Sequence, residues 1–349
     1  NTHLTGVKEI ARRANVSIAT VDRVIHNRTG VSQQTKDKIQ KIVIELNYQP
    51  NLLAQRLASR KVLRIATLIP RGSDETSFWE APLKGIEQAD SEINQFAVVI
   101  DKYFYDQDLK SSFVEQSEKL LKNKPHGVLL APSFIEESIK FTKKCTELKI
   151  PFVLIDSDLP SDGRLSYIGP NLYHSGYLAA HLISYLTTEK DNILLINISK
   201  EIDDQHHLLK KEDGFRSYFK DNKRQNKVFK IDINESDYKS IEKALNTAFD
   251  ELEDIKVVFV TNSRVSYVAQ YIAKYNKNVI LIGYDFLNKN IKYLDTGIID
   301  FLICQKPLEQ AYRGVMTLYN HLAISRPVEK VYFMPIDIIT KENYSFYRN

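Results

Sequence analysis

From Leu63 onward the chain repeats one texture: short apolar runs rich in β-branched residues, separated by longer amphipathic segments. LRIATLI, AVVI, GVLLA, FVLID, NILLINI, KVVFV, VILIGYD and FLIC follow one another in that order. A strand that is apolar at nearly every position must be covered on both faces. Strands alternating with helices supply that cover, because each parallel pair needs a crossover and the crossover helix packs on the sheet. The pattern therefore predicts an α/β fold, with two doubly wound parallel-sheet lobes over this length. Ligands in such folds sit beyond the carboxyl ends of the strands, here in a cleft between the lobes.

The 349 residues, 43% of them hydrophobic, suffice for more than one packed core. No apolar run approaches the roughly 18 residues of a membrane span, and the polar N-terminal residues carry no apolar signal-peptide core. The two cysteines, Cys145 and Cys304, are far apart in sequence. A reduced, cytoplasmic setting is expected, with both thiols serving as small buried apolar groups and no membrane partner.

Charge divides the chain unevenly. Residues 1–61 hold 11 Lys and Arg against four acids, a net of +7, while the remainder nets −3 of the total +4. A basic head on a mildly acidic body suits contact with a polyanion; a charged, solvated helical surface would give the same balance. Within the head, Val7, Ile10, Ala11 and Ala14 form one apolar stripe, and Asn15 can take the left-handed backbone of a tight turn. Ser17 can cap a second helix, SIATVDRVIHN, whose Val21, Val24 and Ile25 face a core. Ser32 can cap a third, which buries Ile39, Ile42, Val43 and Leu46. Helix, tight turn and short capped helix make a helix-turn-helix layout. The outward Ile18, Ala19, Asp22 and Arg23 of the second helix are odd for a solvated surface.

The stretch VKEIARRANVSIATVDRVIHNRTGVSQQTKDKIQKIVIELNYQPNLLAQRLAS resembles the DNA-binding head of the LacI/GalR repressor family. The runs VS-x-x-TV-x-RV and VS-x-x-T, the exit LNYQPN and the tether A-x-x-L stand in order over residues 5–60. The resemblance implies a second helix in the major groove of operator DNA, with Ile18, Ala19 and Arg23 facing base edges. Ser17, Thr20, Ser32 and Thr35 would touch phosphates. Those roles suit the chemistry: hydroxyls and helix-start N–H groups hold phosphate, Arg can grip guanine with two bonds, and apolar side chains meet thymine methyls. Asp22 departs from the family's small hydroxyl residue; it could accept from a cytosine amino group or steady Arg23. Asn51 to Ser59 resembles the family's hinge helix, which implies minor-groove contact by Asn51, Ala54 and Gln55 and a wedge at Leu57. Alternatively, Leu52, Leu53 and Leu57 pack the tether onto the body.

Polar residues cluster at the strand ends. Asp156 ends FVLID, Asn262 follows VVFVT, Asp285 ends LIGYD and Gln305 ends FLIC; Phe78 and Trp79 follow the first strand. Carboxylates and amides suit sugar hydroxyls, and aromatic faces suit the C–H side of a sugar ring. The body resembles the periplasmic ribose-type sugar-binding proteins, which implies that these six residues contact a carbohydrate effector. Lys211, before DGF, stands where that family often has arginine and loses its flat two-pronged donor.

The resemblance divides the chain into a helix-turn-helix domain at 1–50, a hinge helix and linker at 51–61, and an effector-binding domain at 62–349 of periplasmic-binding-protein type I. One lobe would comprise 62–163 and 306–330, the other 164–305 and 331–349. It implies a homodimeric, sugar-responsive regulator, commonly a repressor, reading a near-palindromic operator. Three other readings remain open: a transport or chemotaxis sugar-binding protein, a regulator answering to a sugar phosphate offset by Arg71 or Lys211, and a glycosidase built on Asp156 and Asp285. No cofactor, metal site or catalytic set is expected; the adjacent His206 and His207 read as surface-loop residues.

Overall fold

The computed structural model describes residues 6–25, 28–46, 48, 62–73, 77–160, 163–200 and 206–348. The chain divides into two units, Asn1–Ser59 and Arg60–Asn349.

Among the described residues, the first unit contains the helices α1 (Val7–Ala14), α2 (Ile18–Ile25) and α3 (Gln33–Glu45). Asn15 closes α1 in the left-handed region, φ 54° and ψ 50°, which lets the chain turn at once into α2. The Ser17 hydroxyl oxygen accepts from the Thr20 N–H at 3.1 Å and lies 2.9 Å from the Thr20 hydroxyl. Ser32 repeats the device at α3, accepting from the Thr35 N–H at 3.3 Å, with the two hydroxyls 2.8 Å apart. Each satisfies an N–H that the helix itself leaves unpaired. The core is Ile10, Ala11, Ala14, Val21, Val24, Ile39 and Ile42; Ile25, Val43 and Leu46, expected inside, are partly buried at its edge.

The second unit begins with β1 (Leu63–Pro70), α4 (Glu80–Ile93), β2 (Val98–Tyr105), α5 (Lys110–Lys122), β3 (Gly127–Leu130), α6 (Ile135–Glu147), β4 (Phe152–Ile155) and β5 (Ser166–Gly169). The chain then builds a second lobe from α7 (Leu172–Leu186), β6 (Asn192–Ile198), α8 (His206–Asp221), β7 (Val228–Ile233), α9 (Tyr238–Glu251) and β8 (Ile255–Val260). α10 (Val265–Lys274), β9 (Ile280–Tyr284), α11 (Asn288–Asp295) and β10 (Phe301–Cys304) complete its main run. It returns to the first lobe with α12 (Pro307–Ile324) and β11 (Val331–Phe333), and crosses again to β12 (Asp337–Ile339). The sheets run β2-β1-β3-β4-β5-β11 and β7-β6-β8-β9-β10-β12. Both follow the doubly wound order 2-1-3-4-5, so each lobe has a switch point beside its first strand.

β3 and β4 are buried at every residue, as strands covered on both faces must be. Four strands escape the apolar-run pattern. β7 (VFKIDI) is an edge strand with exposed polar positions, β5 is short, and β11 and β12 have three residues each. β12 also pairs antiparallel with β10, so the second sheet is not purely parallel. Strand pairing corrects two lobe boundaries: β5 pairs with β4 and β11 with β5. The crossings therefore follow Gly169 and Phe333, rather than residues 163 and 330. Register decides this, because the short strands complete the first sheet.

Two glycines set the spacing of α7 and α8. A Cβ on Gly176 would collide with the Lys211 carbonyl oxygen, and one on Gly214 with that of Tyr173. The missing side chains let the two backbones touch. Cys145 and Cys304 are buried free thiols. Among the described residues, no helix is long and apolar enough to cross a membrane.

Candidate functional site

Carboxyl ends of strands from both lobes converge on one cavity of about 60 Å³. The first lobe contributes Phe78, Trp79, Gln107, Asp108, Ser133 and Asp156. The second contributes Ser199, His207, Lys211, Asn262, Ser263, Arg264, Asp285 and Gln305. All seven residues singled out in the body by sequence therefore line it.

Asp156 and Asp285 hold equivalent places, each directly after the fourth strand of its lobe. Both have positive φ, 65° and 73°, a conformation uncommon outside glycine and retained where the surroundings impose it. The side-chain amide of Asn290 on α11 fixes the second turn, donating to the carbonyls of Ser263 (3.1 Å), Tyr284 (3.0 Å) and Asp285 (3.0 Å). Gln305 donates to the Asp285 carboxylate at 3.0 Å, while its own amide oxygen is buried with no hydrogen-bond partner among the described residues. Asn262 donates to the Ile198 carbonyl at 2.6 Å and accepts from the Arg264 N–H at 3.2 Å. Trp79 meets Phe78 edge-on, ring centres 5.0 Å apart, and its indole N–H donates to Gln107 at 2.8 Å.

Lys211 is buried. Its ammonium lies 3.6 Å from the centre of the Tyr284 ring and donates to the Thr261 carbonyl at 3.2 Å. Burial pushes Asp156 up to about 6, against the pull of Lys211. Burial does the same to Asp285, also to about 6, opposed by Lys211 and by the Gln305 bond. Burial lowers the lysine, while Asp285 and Asp156 hold it up. One cation thus serves two carboxylates.

His207 and Arg264 escaped the sequence reading. His206 and His207 open α8 rather than lying in a loop, so His207 shares a helix face with Lys211 four residues on. That spacing was the available signal. Burial, with help from the Lys211 charge, lowers His207 well below the usual imidazole range. His206 instead meets Ser157 of the first lobe at 3.3 Å, and Lys200 pairs with Asp108 across the lobes at 3.3 Å. Arg71 lies outside the cavity, in an adjoining recess. Among the described residues, no group of three His, Cys, Asp or Glu is placed to hold a metal.

In the head, Ile18, Ala19 and Arg23 are exposed on α2, with Ile18 at 49% despite its apolar side chain. Ser17, Thr20, Ser32 and Thr35 form the two capping pairs. Asp22 binds Arg28 at 3.2 Å, not Arg23, because consecutive residues on a helix diverge in direction. Asn51, Ala54, Gln55 and Leu57 lie outside the described residues.

Comparison with known proteins matches residues 65–325 to the periplasmic binding protein domain and residues 6–51 to the bacterial regulatory proteins of the lacI family. The HTH-type transcriptional regulator MalR of Streptococcus pneumoniae is 25% identical over 303 residues, 84% of this chain and 88% of that one. A protein from Bacteroides fragilis assigned to the LacI transcriptional regulators superposes with a TM-score of 0.78 and 29% identity, covering 82% of this chain and all of that one. GanP, a glucose-galactose binding protein from Geobacillus stearothermophilus, shares the fold at a TM-score of 0.73 and 22% identity, over 81% of this chain and 99% of its own.

Proposed function

Because the chain belongs to the periplasmic binding protein domain family and carries the DNA-binding head of the lacI family of bacterial regulatory proteins, we propose that a small carbohydrate held between its lobes sets its affinity for operator DNA. The chain is a transcriptional regulator that joins a helix-turn-helix domain to a sugar-binding domain; its named relatives are regulators, not enzymes.

The observation that carries the effector reading is the convergence of Asp156, Asn262, Asp285 and Gln305 with Phe78 and Trp79 on one cavity. Directional acceptors and donors beside aromatic rings are what a sugar's hydroxyls and C–H face require. The cavity is far smaller than the roughly 300–1,000 Å³ of drug-sized sites, so the lobes must part to admit a ring and close over it. Three carboxylates, Asp108, Asp156 and Asp285, against Lys211 and Arg264 leave the cavity without the excess of positive charge that a phosphate dianion needs, and Arg71 lies in the neighbouring recess. A carbohydrate bridging the lobes favours the closed arrangement; binding and operator affinity are then linked equally in both directions. The regulator acts as a homodimer, each head reading half of a near-palindromic operator, with repression as its mode. On the same reading Leu57, outside the described residues, would wedge between base pairs in the minor groove.

A thermal-shift panel of neutral sugars, sugar acids, polyols and sugar phosphates tests the effector reading. A neutral sugar should raise Tm by mass action, and adding it should change operator binding in fluorescence anisotropy. A shift with sugar phosphates alone would overturn the neutral-sugar reading.

Two further outcomes follow from named residues. Arg23→Ala should weaken operator binding by about 1–3 kcal/mol and relax one base preference. An alanine variant that keeps both the parent's operator affinity and its base preferences across a base-substituted operator series would remove Arg23 from the groove. Effector affinity should also fall as pH drops below about 6, where Asp156 and Asp285 take up protons. Their raised values mean that the empty site protonates before an exposed carboxylate does, and a sugar that donates to carboxylates must displace those protons. The expected loss is roughly tenfold per carboxylate between pH 7 and pH 5, read by calorimetry across that range. A flat profile would take both carboxylates out of the contact.

A further inference from the structure

We propose that the effector is longer than one sugar ring, its second ring lying in a recess that opens beside the cleft; this rests on the carbohydrate reading of the cleft. The recess has a volume of about 440 Å³ against about 60 Å³ for the cleft. Gln107 and Asp108 line both spaces, so cleft and recess are neighbours, and a ligand seated on Asp156 and Asp285 that extends past these two side chains enters the recess.

The chemistry of the recess suits a neutral saccharide unit. Its charges balance: Arg71 and Lys200 stand against Asp106 and Asp108. Asp108 is paired with Lys200, and the Asp106 carboxylate accepts from the Asp108 N–H at 2.9 Å. Two directional groups remain uncommitted among the described residues, the Arg71 guanidinium and the Gln116 amide of α5. Only the backbone N–H of Arg71 is engaged, donating to the Tyr105 carbonyl at 2.8 Å. Phe104 adds a half-buried ring to the same wall. Free hydrogen-bonding groups beside an aromatic face repeat, in the recess, the character of the cleft. Cleft and recess together match a disaccharide, and the Lys200–Asp108 pair, which spans the lobes, stands at their junction.

The test is calorimetry on the full chain with D-glucose, D-galactose, D-xylose and L-arabinose, and with maltose, cellobiose, lactose, melibiose, xylobiose and arabinobiose. At least one disaccharide should bind about tenfold or more tighter than either of its component sugars. Gln116→Ala and Arg71→Ala should each erase most of that advantage while leaving monosaccharide affinity unchanged. Arg71 is exposed and Gln116 half-buried, so the folded body should survive, and an unchanged Tm checks that it does. A monosaccharide that binds as tightly as every disaccharide would overturn the longer ligand while preserving the carbohydrate cleft. Equal weakening of both sugar classes by the variants would also overturn it. No binding by either class would overturn the carbohydrate reading and this inference together.

Discussion

Replacing Asp285 by alanine is expected to weaken effector binding by about 2–5 kcal/mol, the usual cost of truncating one partner in a buried, hydrogen-bonded charged set. The carboxylate is 5% exposed. It accepts from Gln305 and shares the Lys211 charge with Asp156. Its loss leaves the Gln305 amide short of an acceptor and removes a contact to the sugar in the same stroke. Operator binding without effector should not change, because the capped helices that carry Arg23 belong to a separate unit. Asp285→Asn keeps the volume and removes the charge, so an intermediate loss would separate the hydrogen bond from the electrostatic part. Calorimetry with the sugar and anisotropy with operator DNA provide the two readouts. Unimpaired effector affinity in the alanine variant would place the ligand elsewhere. Loss of both activities with a lowered Tm would mark a folding defect, and the asparagine variant then decides.

The second large effect is expected at a residue with no side chain. Gly176→Ala should cost about 3 kcal/mol, at the upper end of overpacking penalties, and lower Tm by roughly 5 °C or more. The added methyl meets the Lys211 carbonyl oxygen on α8. A backbone carbonyl inside a helix cannot swing aside as a side-chain end can, so the helices must separate. Separation moves Lys211, and with it the cation over the Tyr284 ring that steadies both cleft carboxylates. The variant should therefore lose effector affinity as well as stability, whereas a control at an exposed α7 position, Tyr185→Ala, should lose neither. Thermal unfolding and calorimetry on the same samples check the pairing of the two losses. An alanine variant with unchanged Tm would show that α7 and α8 have room to spare.

Sequence alone was enough wherever the physical signal is local. The apolar runs from LRIATLI to FLIC required cover on both faces, and the structure places each in a covered lobe. Asn15, Ser17 and Ser32 announced their turns and caps because those side chains bond their own neighbouring backbone. Asp156, Asn262, Asp285 and Gln305 were legible as a set because each ends a strand, and strand ends on one side of a doubly wound sheet lie together. Tertiary structure decided what depends on partners distant in the chain. β5, β7, β11 and β12 are too short or too polar to declare themselves, and they are strands because a neighbour's edge pairs with them; that pairing also moved the lobe crossings to Gly169 and Phe333. His207 joined the site only once α8 was seen to begin at His206, which turned a suspected loop residue onto the face of Lys211. Asp22 found Arg28 across the turn rather than its sequence neighbour. The raised pKa values of the two aspartates arise chiefly from burial, and the lysine charge that opposes the rise reaches both although they lie 129 positions apart in the chain, an arrangement that no window of sequence contains.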